Sequence, residues 1–152
     1  MPIFSPESLH ALYMAIQNEL DTVQIYEHML NHVTDSHARE VLHRLIVEEH
    51  NHEQSIKKKI EAVGGNPSPP EIQVDAVDFP DRDSLLQMEL ANCTVGELVN
   101  LAIENEQMSR DFYKIQHDRV QNPEVKEIFK WLWEEEEQHI KNLKMEYGTY
   151  LV

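Results

Sequence analysis

Two pairs of residues spaced as Glu-x-x-His, Glu49 with His52 and Glu136 with His139, have side chains and spacing suited to binding metal ions. Residues three apart lie on the same face of a helix, so each pair presents a carboxylate and an imidazole together. Carboxylate oxygen combined with imidazole nitrogen suits iron or manganese, and zinc is an alternative. One pair alone is weak evidence, because an acidic chain with nine histidines contains such pairs by chance.

The surroundings of these pairs strengthen the metal hypothesis. Steps of three and four residues trace an apolar stripe along each of four predicted helices, and Glu19 and Glu106 interrupt two of the stripes. An ionised carboxylate in a core is costly unless it is paired or bound to metal. The similar pair Glu40 and His43, by contrast, is expected on the surface. The predicted metal ligands are therefore Glu19, Glu49, His52, Glu106, Glu136 and His139.

The ligand positions repeat within the chain. An offset of 87 residues carries Glu19, Tyr26, Glu49 and His52 onto Glu106, Tyr113, Glu136 and His139. Leu45 and Glu48 also fall on Leu132 and Glu135, while the rest of the repeat is poorly preserved. We expect Tyr26 and Tyr113 to donate hydrogen bonds to ligand carboxylates. Glu48 and Glu135 are expected on solvated faces.

The repeat also predicts that the ligands lie at one depth. Antiparallel helices meet at equal distances from their turn, and the midpoint of Glu19 and Glu49 is residue 34, inside a predicted turn. The midpoint of Glu106 and Glu136 is residue 121, inside another. Two such hairpins related by a two-fold axis would bring four carboxylates and two imidazoles together. Their negative charges balance two divalent ions, or an oxo-bridged diferric pair.

Helix signals place the boundaries of these elements. Ser5 caps a first helix that runs from Pro6 to about Val33, and Asp35-Ser36 begins a second that ends at Gly64. A connection from about 65 to 93 follows, with a short helix near Ser84–Leu86. The capping-box pattern Thr94–Glu97 begins a third helix that ends near Gln121, and Asn122-Pro123 begins a fourth that runs to about Tyr147. Two hairpins joined by one long crossover predict an all-α four-helix bundle of the ferritin-like type, as a single domain over residues 1–152.

Composition limits the partners. The formal net charge of −15 disfavours nucleic acid and anionic membrane surfaces. No apolar run reaches the ~18 residues of a membrane-spanning helix, and Met1-Pro2-Ile3 lacks the basic region of a signal peptide. Cys93 is the single cysteine, which excludes an intrachain disulfide and a cysteine-based metal site and fits a reducing compartment. We therefore expect a cytoplasmic protein without nucleic-acid or membrane partners.

The ligand pattern resembles the rubrerythrin-like branch of the ferritin-like di-iron proteins, over nearly the whole chain. The resemblance implies that Glu49 and Glu136 bridge two iron ions and that Glu19 and Glu106 are terminal or bridging ligands. It implies further that His52 and His139 each bind one ion, and that the protein forms a homodimer.

Two departures from that family bear on function. Rubrerythrins usually carry a rubredoxin domain whose four cysteines pass electrons to the iron, whereas this chain has only Cys93, so the electron donor is expected to be external. Rubrerythrins also place an additional glutamate three residues after the third-helix ligand, where this chain has Ser109.

Two hypotheses for function follow. The first is a di-iron oxidoreductase that reduces peroxide or dioxygen with electrons from an external donor. The second is a protein that binds, buffers or senses iron without turnover, because the same six ligands serve both roles. A helical scaffold without metal would need Glu19 and Glu106 to point outward, which their stripes oppose.

Overall fold

The computed structural model describes residues 4–68, 74, 78–88, 90 and 93–151. Its helices are α1 (Pro6–Leu30), α2 (Ser36–Ala62), α3 (Asp83–Leu86), α4 (Val95–Arg119) and α5 (Pro123–Tyr147), followed by a 3-10 turn at Gly148–Tyr150. Within these ranges there is no strand, and the prediction of an all-α helical bundle is confirmed. The N-terminal Met1–Ile3 and several residues of the predicted connection (69–73, 75–77, 89, 91 and 92) lie outside the described residues.

Local sequence sets the helix starts where they were predicted. A side-chain oxygen at each cap accepts a hydrogen bond from a backbone N–H of the first turn, and the capping box at Thr94 and Glu97 is complete. The four caps are Ser5, Asp35, Thr94 and Asn122. After α2, Gly64 has a φ of 82°, a backbone region in which glycine is unstrained.

The end of α1 differs from the prediction. The helix stops at Leu30 rather than near Val33, because the chain must turn before the cap of α2 at Asp35. Val33 nevertheless remains in the core, where it is 4% exposed. The apolar stripe of α1 therefore predicted correctly that Val33 is buried, but it predicted too long a helix.

The long helices pack as two hairpins, α1 with α2 and α4 with α5, which meet chiefly through α1 and α4. Two separate apolar clusters form, and every long helix contributes to both. In α1, for example, Ile16 belongs to one cluster and Ile25 to the other, with buried Glu19 between them. The bundle therefore has a polar layer near its middle, shielded above and below by apolar side chains. None of the helices in the described ranges is long and apolar enough to cross a bilayer.

The described part of the crossover lies along α1 and α4. Phe79 packs edge-on against Phe112 of α4, with 5.4 Å between ring centroids. Arg82 makes hydrogen bonds to both α1 and α4, and Leu85 of α3 joins the cluster that contains Ile25. The crossover thus covers the seam between the two hairpins.

We predict that Gly96→Ala destabilises the fold. A Cβ at Gly96, in the first turn of α4, would overlap the carbonyl oxygen of Tyr150, so the C-terminal turn would have to move. Overpacking of this kind typically costs about 1–3 kcal/mol. Gly148→Ala is the matched control, because a Cβ there has no neighbour within 4 Å. Thermal unfolding followed by circular dichroism compares the two, and equal melting temperatures would contradict the prediction.

Candidate metal centre

Four glutamates and two histidines meet in the polar layer of the bundle. All six side chains are buried, with residue exposures between 0% and 5%. They come from all four long helices: Glu19 from α1, Glu49 and His52 from α2, Glu106 from α4, and Glu136 and His139 from α5. The structure thus brings together every residue that the sequence predicted as a ligand.

The first set of donor atoms surrounds His52. Its Nδ1 lies 3.5 Å from an oxygen of Glu19, 3.4 Å from one of Glu49 and 3.3 Å from one of Glu136. One donor atom from each of these four residues lies within 4.8 Å of the others. Three carboxylates and one imidazole around such a small space form a suitable set for one metal ion.

The second set surrounds His139 and shares two glutamates with the first. Its Nδ1 lies 3.1 Å from Glu49, 3.3 Å from Glu106 and 3.6 Å from Glu136. Glu49 and Glu136 each turn one oxygen to His139 and the other oxygen to His52. Two carboxylates placed in this way could each bridge ions held by the two sets, while Glu106 belongs to the second set alone.

Several donor atoms have no hydrogen-bond partner in the described part of the chain, which fits metal coordination. Both oxygens of Glu49 and of Glu136, one oxygen of Glu19 and Nδ1 of His52 lack a hydrogen-bond partner among the described residues. Buried polar atoms are normally satisfied, because an unsatisfied one costs free energy. A metal ion bound to these atoms would remove that cost.

Burial and mutual repulsion perturb the ionisation of these residues. Burial, with the neighbouring Glu49 carboxylate, raises the pKa of Glu19 to about 8. Burial lowers the pKa of His52, but the carboxylates of Glu136, Glu19 and Glu49 beside its ring outweigh this and raise the pKa above its usual value. The pKa of His139 is raised in the same way, mainly by Glu136. Without metal, the centre therefore holds protons that metal ions would displace.

Two buried tyrosines hold ligand carboxylates across the hairpins. Tyr26 of α1 donates a hydrogen bond to Glu106 of α4, and Tyr113 of α4 donates one to Glu19 of α1. Burial raises the pKa of both hydroxyls, so each keeps its proton and acts as a donor. Hydrogen bonding to ligand carboxylates was expected from the sequence; the crossed pairing between hairpins was not.

Glu48 and Glu135 face the outer nitrogens of the imidazoles, and Glu48 is within hydrogen-bond distance. Glu48 lies 2.7 Å from Nε2 of His139, and Glu135 lies 4.0 Å from Nε2 of His52, with both glutamate side chains 41% exposed. A carboxylate at Nε2 fixes the tautomer that leaves Nδ1 free for a metal. The interpretation of these glutamates as solvated was therefore incomplete, although their match in the 87-residue repeat carried the signal.

We predict that Glu48→Ala weakens metal binding, and more so than Glu135→Ala. Loss of such an outer carboxylate typically reduces metal affinity about 10–100-fold, and Glu48 makes the shorter contact of the two. Titration of the metal-free variants with manganese(II) measures the affinities. Equal affinity of the Glu48 variant and the parent would contradict the assigned role.

A buried arginine on the crossover was not predicted. Arg82 is 5% exposed and donates hydrogen bonds to Asn105 (2.5 Å), Asn18 (2.8 Å) and Ser109 (2.8 Å). Ser109, the position at which the family resemblance places an additional glutamate, is thus occupied in this hydrogen-bond network. The offset of 87 also relates Asn18 to Asn105, but these asparagines lie beside the apolar stripes and were not singled out.

Comparison with solved structures supports the helical-bundle fold. The similar solved structures include a DUF305 fragment from Deinococcus radiodurans, with a TM-score of 0.68 and 12% identity over 97% of this chain and 99% of that one. A hypothetical protein from Pyrococcus furiosus has a TM-score of 0.64 and 23% identity over 97% of this chain and 91% of that one. At these identities the likeness shows the fold alone. No curated protein has a matching sequence.

The family model described as Rubrerythrin matches residues 97–150. This segment contains nearly all of α4 and all of α5, and with them the candidate ligands Glu106, Glu136 and His139. The resemblance inferred from the ligand pattern is thereby confirmed for residues 97–150, which match the rubrerythrin family model within an all-α bundle.

Proposed function

We propose that this protein binds two iron ions and uses them to reduce peroxide or dioxygen with electrons from an external donor. The observation that carries the proposal is the pair of shared glutamates, because Glu49 and Glu136 each present one oxygen to the first donor set and the other oxygen to the second. These shared carboxylates would hold the two ions next to each other. Two iron ions so held can together supply two electrons to a bound oxidant.

The protein's own residues would control the surroundings of that chemistry. The apolar clusters on either side of the polar layer keep bulk water from it. Tyr26 and Tyr113 hold two of the carboxylates in place while the charge of the centre changes. Because this sequence has a single cysteine, Cys93, it cannot form a four-cysteine iron site, and the proposed electron donor lies outside this sequence.

Iron binding without turnover is the second candidate, and the same lack of electron-transfer cysteines favours it. Reaction of the anaerobically loaded ferrous protein with each oxidant separates the two functions. We expect faster oxidation by peroxide than by dioxygen in stopped-flow absorbance, and repeated cycles when a reductant is added. With Ser109 in place of a further glutamate, the peroxide reaction should be slower than in a complete rubrerythrin site. A single slow oxidation with retained iron would instead support buffering or sensing, and faster reaction with dioxygen would indicate an oxidase or ferroxidase.

The chain offers its own control for this experiment. Glu40 and His43 have the spacing of the ligand pairs but are exposed. Replacing both by alanine should leave the reaction unchanged, whereas the double alanine variant of Glu49 and His52 should react no faster than free ferrous ion.

A further inference from the structure

Arg82 is a buried cation without an acidic hydrogen-bond partner among the described residues. Its guanidinium donates to two amide oxygens and one hydroxyl, and it makes no ion pair in the described ranges. Burial lowers its pKa, which reflects the cost of holding this charge away from water. The nearby carboxylate of Asp21 offsets only part of that cost. Because all three hydrogen-bond partners are neutral, the position of this charge calls for an explanation beyond packing.

The partners of Arg82 adjoin the candidate ligands on both hairpins. Asn18 directly precedes Glu19 in α1, and Asn105 directly precedes Glu106 in α4. The guanidinium bonds to both asparagines, at 2.8 Å and 2.5 Å, so one side chain ties together the backbone segments that carry these two glutamates.

Ser109 completes the network with no bonding capacity left over. It accepts hydrogen bonds from Arg82 (2.8 Å) and from the Asn18 amide (3.0 Å), and its oxygen lies 3.2 Å from the Thr22 hydroxyl. Because the Thr22 hydroxyl donates to the carbonyl oxygen of Asn18, Ser109 is the donor to Thr22. The donor and the acceptor of each hydrogen bond made by Ser109 are therefore determined.

The network follows the same internal symmetry as the ligands. The offset of 87 residues relates Asn18 to Asn105 and Thr22 to Ser109, whereas Arg82 lies between the two copies in the chain. A planar guanidinium with several fixed donors can span both halves, which the single ammonium of lysine cannot.

We propose that Arg82 is a positioning residue for the metal centre: its hydrogen bonds to Asn18 and Asn105 set the spacing of α1 and α4 at the level of Glu19 and Glu106. The tyrosine bonds make the ligands sensitive to that spacing, because Tyr26–Glu106 and Tyr113–Glu19 cross the same seam. The proposal rests on the proposed binding of two metal ions.

Cobalt(II) titration of the full-length, metal-free chain tests this role, since visible absorption reports both affinity and ligand geometry. We expect Arg82→Met to weaken cobalt binding about 10-fold, the lower end of the range for residues that bond directly to metal ligands, and to change the spectrum of the loaded protein. Arg82→Lys keeps the positive charge but cannot bond to both asparagines. It should therefore restore little of the cobalt affinity or of the parental spectrum. Arg110→Met is the matched control, because Arg110 lies on α4 but pairs with Asp111 and Glu137 rather than with Asn18 or Asn105.

Parental affinity and an unchanged spectrum in a folded Arg82→Met protein would overturn the proposal. If that variant does not fold, Asn18→Ala and Asn105→Ala each remove one partner and should weaken cobalt binding; parental binding in both would likewise overturn it. Failure of the parent to take up two cobalt ions is a separate result, which would refute the proposed metal function and this inference with it.

Discussion

Glu49→Ala or Glu136→Ala is expected to remove both metal ions, not one. Each of these glutamates turns one oxygen to the donor set around His52 and the other to the set around His139. Either substitution therefore removes one ligand from each ion and, with it, a carboxylate that bridges the two ions. Elemental analysis after iron loading and desalting should show a fall from two ions per chain to almost none.

Variants that touch one set provide the comparison. Glu19→Ala and Glu106→Ala each remove a ligand from a single set. Each variant should therefore lose the ion of that set more readily than the ion of the other set. Glu40→Ala, at an exposed position, should keep both ions. One tightly held ion per chain that survives the loss of Glu49 and of Glu136 would rule out the bridged centre.

The metal-free protein is expected to lose stability as the pH rises from about 6 to about 8. The pKa of Glu19 rises from 4.5 to about 8 on folding, so the folded state binds a proton that the unfolded state has released. This contribution to stability is complete below 4.5 and is lost as the pH approaches about 8. The raised pKa values of His52 and His139 act in the same direction above the ordinary histidine value of 6.5.

Metal should reverse this dependence on pH. Ferrous or manganous ions bind only the folded state and compete with protons for the ligands, so they should raise the melting temperature more at about pH 8 than at about pH 6. The net charge of −15 also destabilises the protein at higher pH, so a control is needed. The double variant Glu19→Gln with Glu106→Gln removes only buried charge, and in the metal-free form it should melt above the parent at about pH 8. A double variant that is no more stable than the parent would contradict the charge repulsion assigned to the centre.

The apolar periodicity and the helix-capping residues predicted the helices that carry the ligands. The caps at Ser5, Asp35, Thr94 and Asn122 form as expected because each depends on a side chain and backbone a few residues apart. Glu19 and Glu106 were identified because a charged residue within an apolar stripe needs an explanation. In both cases the decisive information is local in the sequence.

The features that sequence reasoning missed depend on distant contacts. Arg82 lies in an irregular crossover, where no period indicates which side chains turn inward, and its partners come from two different helices. Glu48 is half-exposed, so its pattern matches an ordinary surface residue until the position of His139 is known. Asn18 and Asn105 show that an internal repeat can reveal such residues, because the pair is preserved beside the ligands.

The sharing of ligands between hairpins has a kinetic consequence. Each hairpin closes over a short turn and can form from contacts near in sequence, which favours rapid folding. Neither donor set exists until the hairpins dock, because His52 needs Glu136 from the other hairpin and His139 needs Glu49. Docking also brings four carboxylates together, so we expect this late step to be slow at alkaline pH. Metal ions, which require the docked arrangement, should then prolong the lifetime of the native state more than they speed its formation.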